Sequence, residues 1–294
     1  MPDIVFPIID FARFEDETSP ARTIHDVNLF DINIDALFWY TGSNRDRKAE
    51  VDSMFEWSFL LTNVSLPNKA KTLAAHLKET WKHRGYTRFG QEQFPQEKFD
   101  TSELAAIRKP NAVPQESFDI GRDNSPRVSN VWLPSFRDAA SAFFDTCRQF
   151  ELEKLLPALS LGLWLPCVGE FLGNIHGKGG NQIRLPHYPA TPAETFASGE
   201  RNRLGGHTRG NRTSEHAQSC FNFQNDVGGL EVESPSDSGN FVPAPPIPGT
   251  IAFNAADLLT HLSNGTLKSA LHRVRAPPND GTGMISTPKS ALPT

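Results

Sequence analysis

Two of the nine histidines stand where their chemistry could be put to use. His207 lies in RLGGHT (203–208), directly after a glycine pair, and His272 lies in SALHRV (269–274), between Leu271 and the apolar Val274. Taken singly, each reads as a hydrogen-bonded core or loop histidine. Taken together on neighbouring strands, two imidazoles could form part of a non-haem iron site, which adds one carboxylate and leaves positions open. His216 and Cys220 make a second set, H-x3-C, but two zinc-type ligands without two partners define no site.

Strands must bring such histidines together, and the sequence after residue 180 has that texture. NQIRLPHY (181–188), GGLEVES (228–234), GTIAFNA (249–255) and TLKSALHRVRA (266–276) are short runs parted by Gly, Pro, Asn and Ser turns. GLEVES alternates apolar and polar residues, as a strand with one buried face should. Runs of this length and spacing predict a sandwich or jelly roll. The N-terminal half is more mixed. Residues 4–11 (IVFPIIDF) carry Pro7 and predict an edge strand or a strand start. Residues 46–60 predict a helix with Val51, Met54, Phe55 and Ser58 on one face. Residues 92–130 are polar and proline-containing, and predict a long irregular surface connection. Ser135 is a candidate cap for a helix whose apolar positions are Phe136, Ala140, Phe143, Phe144, Cys147 and Phe150. Pro157 should kink or end it. The expected class is mixed α+β, with a jelly-roll core and an N-terminal helical region.

Composition agrees and excludes several partners. The chain has 294 residues, 38% hydrophobic and 21% charged, which is globular rather than disordered composition. Phe contributes 21 residues against five Trp and three Tyr, and 21 Gly with 23 Pro is turn-rich. With 29 basic and 34 acidic side chains the net charge is −5, so no basic footprint for nucleic acid is present. The most apolar stretch, residues 155–168, is interrupted by Pro157 and Pro166 and falls short of the about 20 residues a membrane span needs. Three scattered cysteines offer no disulfide framework. The expectation is a cytoplasmic protein with neither membrane nor protein partner.

The segments WKHRGYTRFG (81–90), ESFDIGR (116–122), IRLPHYP (183–189), RLGGHT (203–208), FQNDVGGLEVESP (223–235) and PPIPGTIAFNAADLLTHLSNGTLKSALHRV (245–274), with FPIIDF (6–11) before them, resemble the isopenicillin-N-synthase-like family. The likeness is strongest to its fungal Fe(II)/2-oxoglutarate-dependent dioxygenases. It implies a double-stranded β-helix, that is a jelly roll. The division it implies is an N-terminal dioxygenase-type region (1–130), supporting helices (131–178) and a jelly-roll domain (179–294) lacking the closing elements of relatives. It also implies Fe(II) as cofactor, 2-oxoglutarate and O2 as co-substrates, ascorbate as reductant in vitro, and a small organic molecule as substrate. Decarboxylation of 2-oxoglutarate to succinate would drive hydrogen abstraction from that substrate. On matching positions His207 is the first metal ligand, His272 the distal one, and Tyr188 and Ser290 touch the co-substrate. Asp257 and Asn264 match scaffold positions and read as turn and strand-end chemistry.

Two motif positions depart from the family. The carboxylate expected two residues after His207 is replaced by Arg209. A unit positive charge 4 Å from a divalent ion costs about 8 kcal/mol at an effective dielectric near 20. Glu215 in the loop that follows, and Asp226 before VGG, are the available substitutes. At the C-terminal end Pro288 stands in the register of the arginine that grips 2-oxoglutarate, and Lys289, one place off, cannot copy a bidentate fork. Residues 22–45 and 59–75, including NIDALFWYTGSNR (33–45), also match poorly. These departures support a second reading: a catalytically silent relative, or a mis-spliced gene product, serving at most as a binding module. Arg209→Asp changes the local charge by two and should raise iron content in purified protein. Equal, stoichiometric iron in both proteins would show that another carboxylate already completes the site, with Glu215 the first suspect.

Overall fold

The computed structural model describes residues 8–10, 37–41, 48–63, 84–91, 115–123, 129–165, 170–176, 181–189, 191–192, 204–207, 219–225, 227–234, 237–275, 284–285 and 291–292. The strands among them are β1 (Ile8–Asp10), β2 (Leu37–Thr41), β3 (Gly85–Thr87), β4 (Glu116–Gly121), β5 (Gln182–His187), β6 (Thr191–Pro192), β7 (Leu204–His207), β8 (Ser219–Gln224), β9 (Leu230–Ser234), β10 (Asp237–Pro243), β11 (Ile251–Ala255), β12 (His272–Val274), β13 (Met284–Ile285) and β14 (Ala291–Leu292). The helices are α1 (Lys48–Asn63), α2 (Pro134–Phe150), α3 (Leu156–Gly162), α4 (Glu170–His176) and α5 (Asp257–Leu262), with a π-helical turn, Glu151–Leu155, between α2 and α3.

Two sheets make the jelly roll. The larger has the order β1-β2-β11-β8-β14, and the smaller β10-β9-β12-β7. A three-stranded sheet, β3-β4-β5, lies with β5 against β14, and β6 pairs with β13. β11 is buried along its whole length because both of its faces are covered. Ile251, Phe253 and Ala255 join the large core that includes α2, whose Phe143 and Phe150 rings meet Phe223 and Phe221 of β8. The intervening Ala252 packs instead with Leu230 and Val232 of β9, from the opposing sheet. By strand alternation the chamber between the sheets is therefore faced by Ala252 and Asn254 of β11, and by Cys220, Asn222 and Gln224 of β8.

The helical face of the core is aromatic. Phe136 is fully buried, edge-on to Phe118 at 5.6 Å and tilted against Trp57 at 5.3 Å. The α2 stripe is as the sequence predicts, with Phe136, Ala140, Phe143, Phe144 and Cys147 buried. α1 likewise buries Met54 and Ser58 of the predicted face, with Val51 and Phe55 half-buried beside them, and adds Leu61. β1 is an edge strand, paired in parallel with β2, and β2 itself lies within the poorly matching stretch 22–45.

Five expectations are corrected. Ser135 does not cap α2: the cap position is Leu133, with no side-chain hydrogen bond, and Pro134 opens the helix with its fixed φ and absent N–H. Pro157 does not end the helical run. It falls in the first turn of α3, after the π turn, where its missing donor is tolerated. Residues 92–130 are not all surface connection, because β4 lies within them and is buried throughout. Its polar residues Ser117 and Asp119 alternate with Phe118 and Ile120, so a period of two was present under a polar composition. TLKSALHRVRA yields only the three residues of β12. GLEVES is drier than its alternation predicts: Glu233 is half-exposed, but Glu231 is buried and ion-paired to Arg273 at 2.7 Å and Arg275 at 3.3 Å.

Asp257 opens α5 and Asn264 follows it with φ 51, a left-handed turn position that Asn tolerates, so both serve as the turn chemistry predicted for them. Among the described residues no helix is long and apolar enough to cross a membrane. Phe136→Ala should destabilise the fold by about 3–5 kcal/mol. The urea midpoint should fall with an unchanged slope.

Candidate active site

His207 closes β7 and His272 opens β12, and the two are direct cross-strand partners. Directly opposed residues in an antiparallel pair share a face. Here it is the chamber face, because Val232, on the other side of His272 in register, belongs to the cluster between the sheets. The imidazole centroids lie 4.4 Å apart with the ring planes tilted by 49°. Sequence reasoning predicts that these rings converge on one pocket, and they do lie side by side.

Their hydrogen bonds define their chemistry. His207 Nδ1 is 2.9 Å from the Gly205 carbonyl oxygen, and His272 Nδ1 is 2.9 Å from that of Ala270. A carbonyl oxygen only accepts, so each ring places its proton on Nδ1, and the lone pair falls on Nε2. Metal-binding histidines are held in this way, with the second ring nitrogen donating to a carbonyl or carboxylate. The pair thus fits the imidazole part of a two-histidine, one-carboxylate iron centre. Among the described residues no group of three or more His, Cys, Asp and Glu side chains could hold a metal ion. Arg209, Glu215, His216 and Asp226 lie outside the described residues, as do Pro288, Lys289 and Ser290.

Tyr188 is buried and follows directly on β5, in the three-stranded sheet rather than the histidine-bearing one. It continues from a buried polar network that sequence reasoning misses. Glu116 and His187 are cross-strand partners, His187 Nδ1 lies 2.9 Å from Glu116 Oε1, and Tyr86 Oη donates to Glu116 Oε2. On the opposite face of this sheet Asp119 has no exposed surface and accepts from Arg184 Nε at 2.7 Å and Ser117 Oγ at 3.1 Å. Asn254 is the other residue missed. It lies in GTIAFNA, where alternation with Phe253 was the signal that it faces the chamber.

The model of the 2OG-Fe(II) oxygenase superfamily matches residues 181–288. The chain is 34% identical over 245 residues to the 2-oxoglutarate-dependent dioxygenase frbA of Dothideomycetidae sp., covering 80% of this chain and 68% of that protein. It is 30% identical to the proline hydroxylase buaE of Petromyces alliaceus, over 79% of this chain and 68% of that one. Among solved structures, a full-length Neurospora crassa protein in complex with alpha-KG and thymine superposes with a TM-score of 0.79 at 27% identity, over 99% of this chain and 85% of that one. A jelly roll with paired chamber-facing histidines and relatives of this kind has one meaning: the chain belongs to the 2OG-Fe(II) oxygenase superfamily. Members of that family use Fe(II), 2-oxoglutarate and O2.

Burial pushes the Tyr86 phenol well above its ordinary value, and the hydrogen bond to Glu116 and that carboxylate's charge push it the same way, against a smaller opposite pull from Arg88. A raised value in the folded state means that the fold binds this proton more tightly than the unfolded chain does. The stabilisation is therefore complete below the unfolded phenol's value, about 10, and is lost as pH rises above it. Tyr86→Phe should lower the urea midpoint at pH 8, since Glu116 loses a donor, and should flatten the decline above about pH 10. An alkaline limb identical in both proteins would assign that decline to other groups.

Proposed function

We propose that this chain is an Fe(II)/2-oxoglutarate-dependent dioxygenase acting on a small organic molecule, of the kind found in fungal secondary metabolism. The observation that carries the reading is the cross-strand pair His207–His272, each ring donating its Nδ1–H to a backbone carbonyl. In this reading both Nε2 atoms are metal ligands, and Tyr188 and Ser290 contact the co-substrate. Iron bound there with 2-oxoglutarate and O2 would supply oxidation of an unactivated C–H bond coupled to release of succinate. The chain's own part is to hold and to exclude. The backbone fixes the imidazoles before any ligand arrives, so little ordering cost falls on binding. Leu230, Val232, Ala252 and Ala270 wall the chamber with apolar surface and keep water from the reacting centre.

The relatives favour a small, ring-containing substrate: one is named a proline hydroxylase, and the Neurospora crassa protein was crystallised with thymine. The division into 1–130, 131–178 and 179–294 belongs to the same reading, and the match to 181–288 supports the last part. A cytoplasmic place of action belongs to the same reading, which three scattered cysteines without a disulfide framework suit. The second reading, a catalytically silent relative, is favoured by Arg209 and Pro288 at two positions where the family pattern expects an aspartate and an arginine. A lost bidentate charge-assisted contact weakens binding by about tenfold or more, since about 1.4 kcal/mol is one decade.

The two readings separate in one assay. Purified protein with Fe(II), ascorbate and 2-oxoglutarate should release succinate above a His272→Ala control, even without substrate, if the site turns over. Succinate at the level of that control would sink the enzyme and leave the silent relative.

A further inference from the structure

We infer that Asn254 is a positioning residue for His272: its carboxamide holds the Ala270 peptide whose carbonyl fixes the imidazole tautomer. The inference deepens the reading of His272 as a metal ligand and rests on it for its purpose, but not for its test.

The two histidines solve one problem with unequal means. Each donates Nδ1–H to a carbonyl two residues before it, at 2.9 Å in both cases. For His207 that carbonyl belongs to Gly205, a residue of β7 itself, at the point where the register of the β7–β12 ladder shifts by one residue. For His272 it belongs to Ala270, and β12 begins only at His272. The Ala270 peptide has no place in that ladder.

A side chain takes the ladder's place. Asn254 is 3% exposed on the chamber face of β11. Its Oδ1 accepts the Ala270 N–H at 3.1 Å, and its Nδ2 lies 3.5 Å from the Ala270 carbonyl oxygen. One acceptor and one donor on a planar group copy what a neighbouring strand's peptide would offer. The Ala270 N–H also fixes which end of the carboxamide is oxygen, so the amino end must face the imidazole.

That amino end, Nδ2, lies 3.3 Å from His272 Nδ1, which makes the tautomer a contest. With the proton on Nδ1, the ring donates to the nearer carbonyl and Nδ2 turns its hydrogen to the same oxygen. With the proton on Nε2, Nδ1 could accept from Asn254, but its lone pair would face the carbonyl oxygen at 2.9 Å. The first arrangement satisfies every group and leaves Nε2 as a ligand atom. Without Asn254 the Ala270 backbone loses both side-chain contacts that orient it, and the preference for Nδ1–H weakens.

The test uses the 15N-labelled metal-free chain at alkaline pH, where the imidazoles are neutral. Long-range 1H–15N spectra should show His207 and His272 both as Nδ1–H tautomers. In Asn254→Ala, and in the shape-preserving Asn254→Leu, His272 should become a mixture while His207 stays unchanged as the internal reference. Anaerobic Fe(II) titration should show affinity lower by about tenfold or more in both variants, the usual cost of removing such support. A wild-type tautomer at His272 in either variant overturns the inference, including where that variant melts at a lower temperature. A tautomer shift in a protein whose wild type binds no Fe(II) would uphold the role of Asn254 and defeat the metal reading instead.

Discussion

A strand with no wet face sets the conditions for everything around it. β11 turns Ile251, Phe253 and Ala255 toward the aromatic helical core and Ala252 and Asn254 toward the chamber, and no residue of it is left for solvent. A strand buried on both sides cannot slip by one residue, because the slip would exchange phenylalanine for asparagine across its whole length. Its register with β2 and β8 is consequently fixed, and β8 in turn carries β14. The chamber-facing side of β11 is where small residues are tolerated. Ala252 there lets the opposing sheet approach, and that approach brings the histidine-bearing strands into place.

The polar interior is organised by the same closeness. Asp119, Glu116, Glu151 and Glu231 are all buried, and each meets a cation or an imidazole: Arg184, His187, His176 and the Arg273–Arg275 pair. Removing one partner from such a pair is expensive, because a charge stays behind without compensation. The arrangement ties β4 to β5, β9 to β12, and the π turn to α4. It therefore fixes mutual positions more than it adds stability.

Much of this was legible in the sequence, for reasons that differ by residue. The α2 stripe was readable because a helical period of apolar residues makes sense only when one helix face is buried. The histidine strands were readable from LGGH and LHRV only when taken together, since either alone is an ordinary core histidine. β4 was hidden because glutamate, serine and aspartate occupied half of it, and their partners, such as Arg184, stand about 65 positions away. Periodicity does not carry information over that distance. The same limit hid Asn254: a polar residue in an apolar strand signals a buried partner, but not which one. Glu231 misled for the opposite reason, since a carboxylate in an alternating strand looks like a solvent-facing residue until its two arginines are known.

The π turn between α2 and α3 bears on how this protein can change in length. An ordinary α-helix advances about 100° per residue, so losing one residue within α2 would swing its phenylalanine stripe away from the sheet. The wider turn at residues 151–155 already holds one residue more than an α-helical path requires. Dropping a residue there would let the ladder close in the ordinary way while Leu156 and Leu159 stay aimed at the core, where both are buried. What would be lost is the inward aim of Glu151, and with it the anchor of His176 at 2.7 Å and of Asn181 at 3.0 Å. Among the described residues the helical layer thus has one slack point, and shortening it would detach α4 while sparing the barrel.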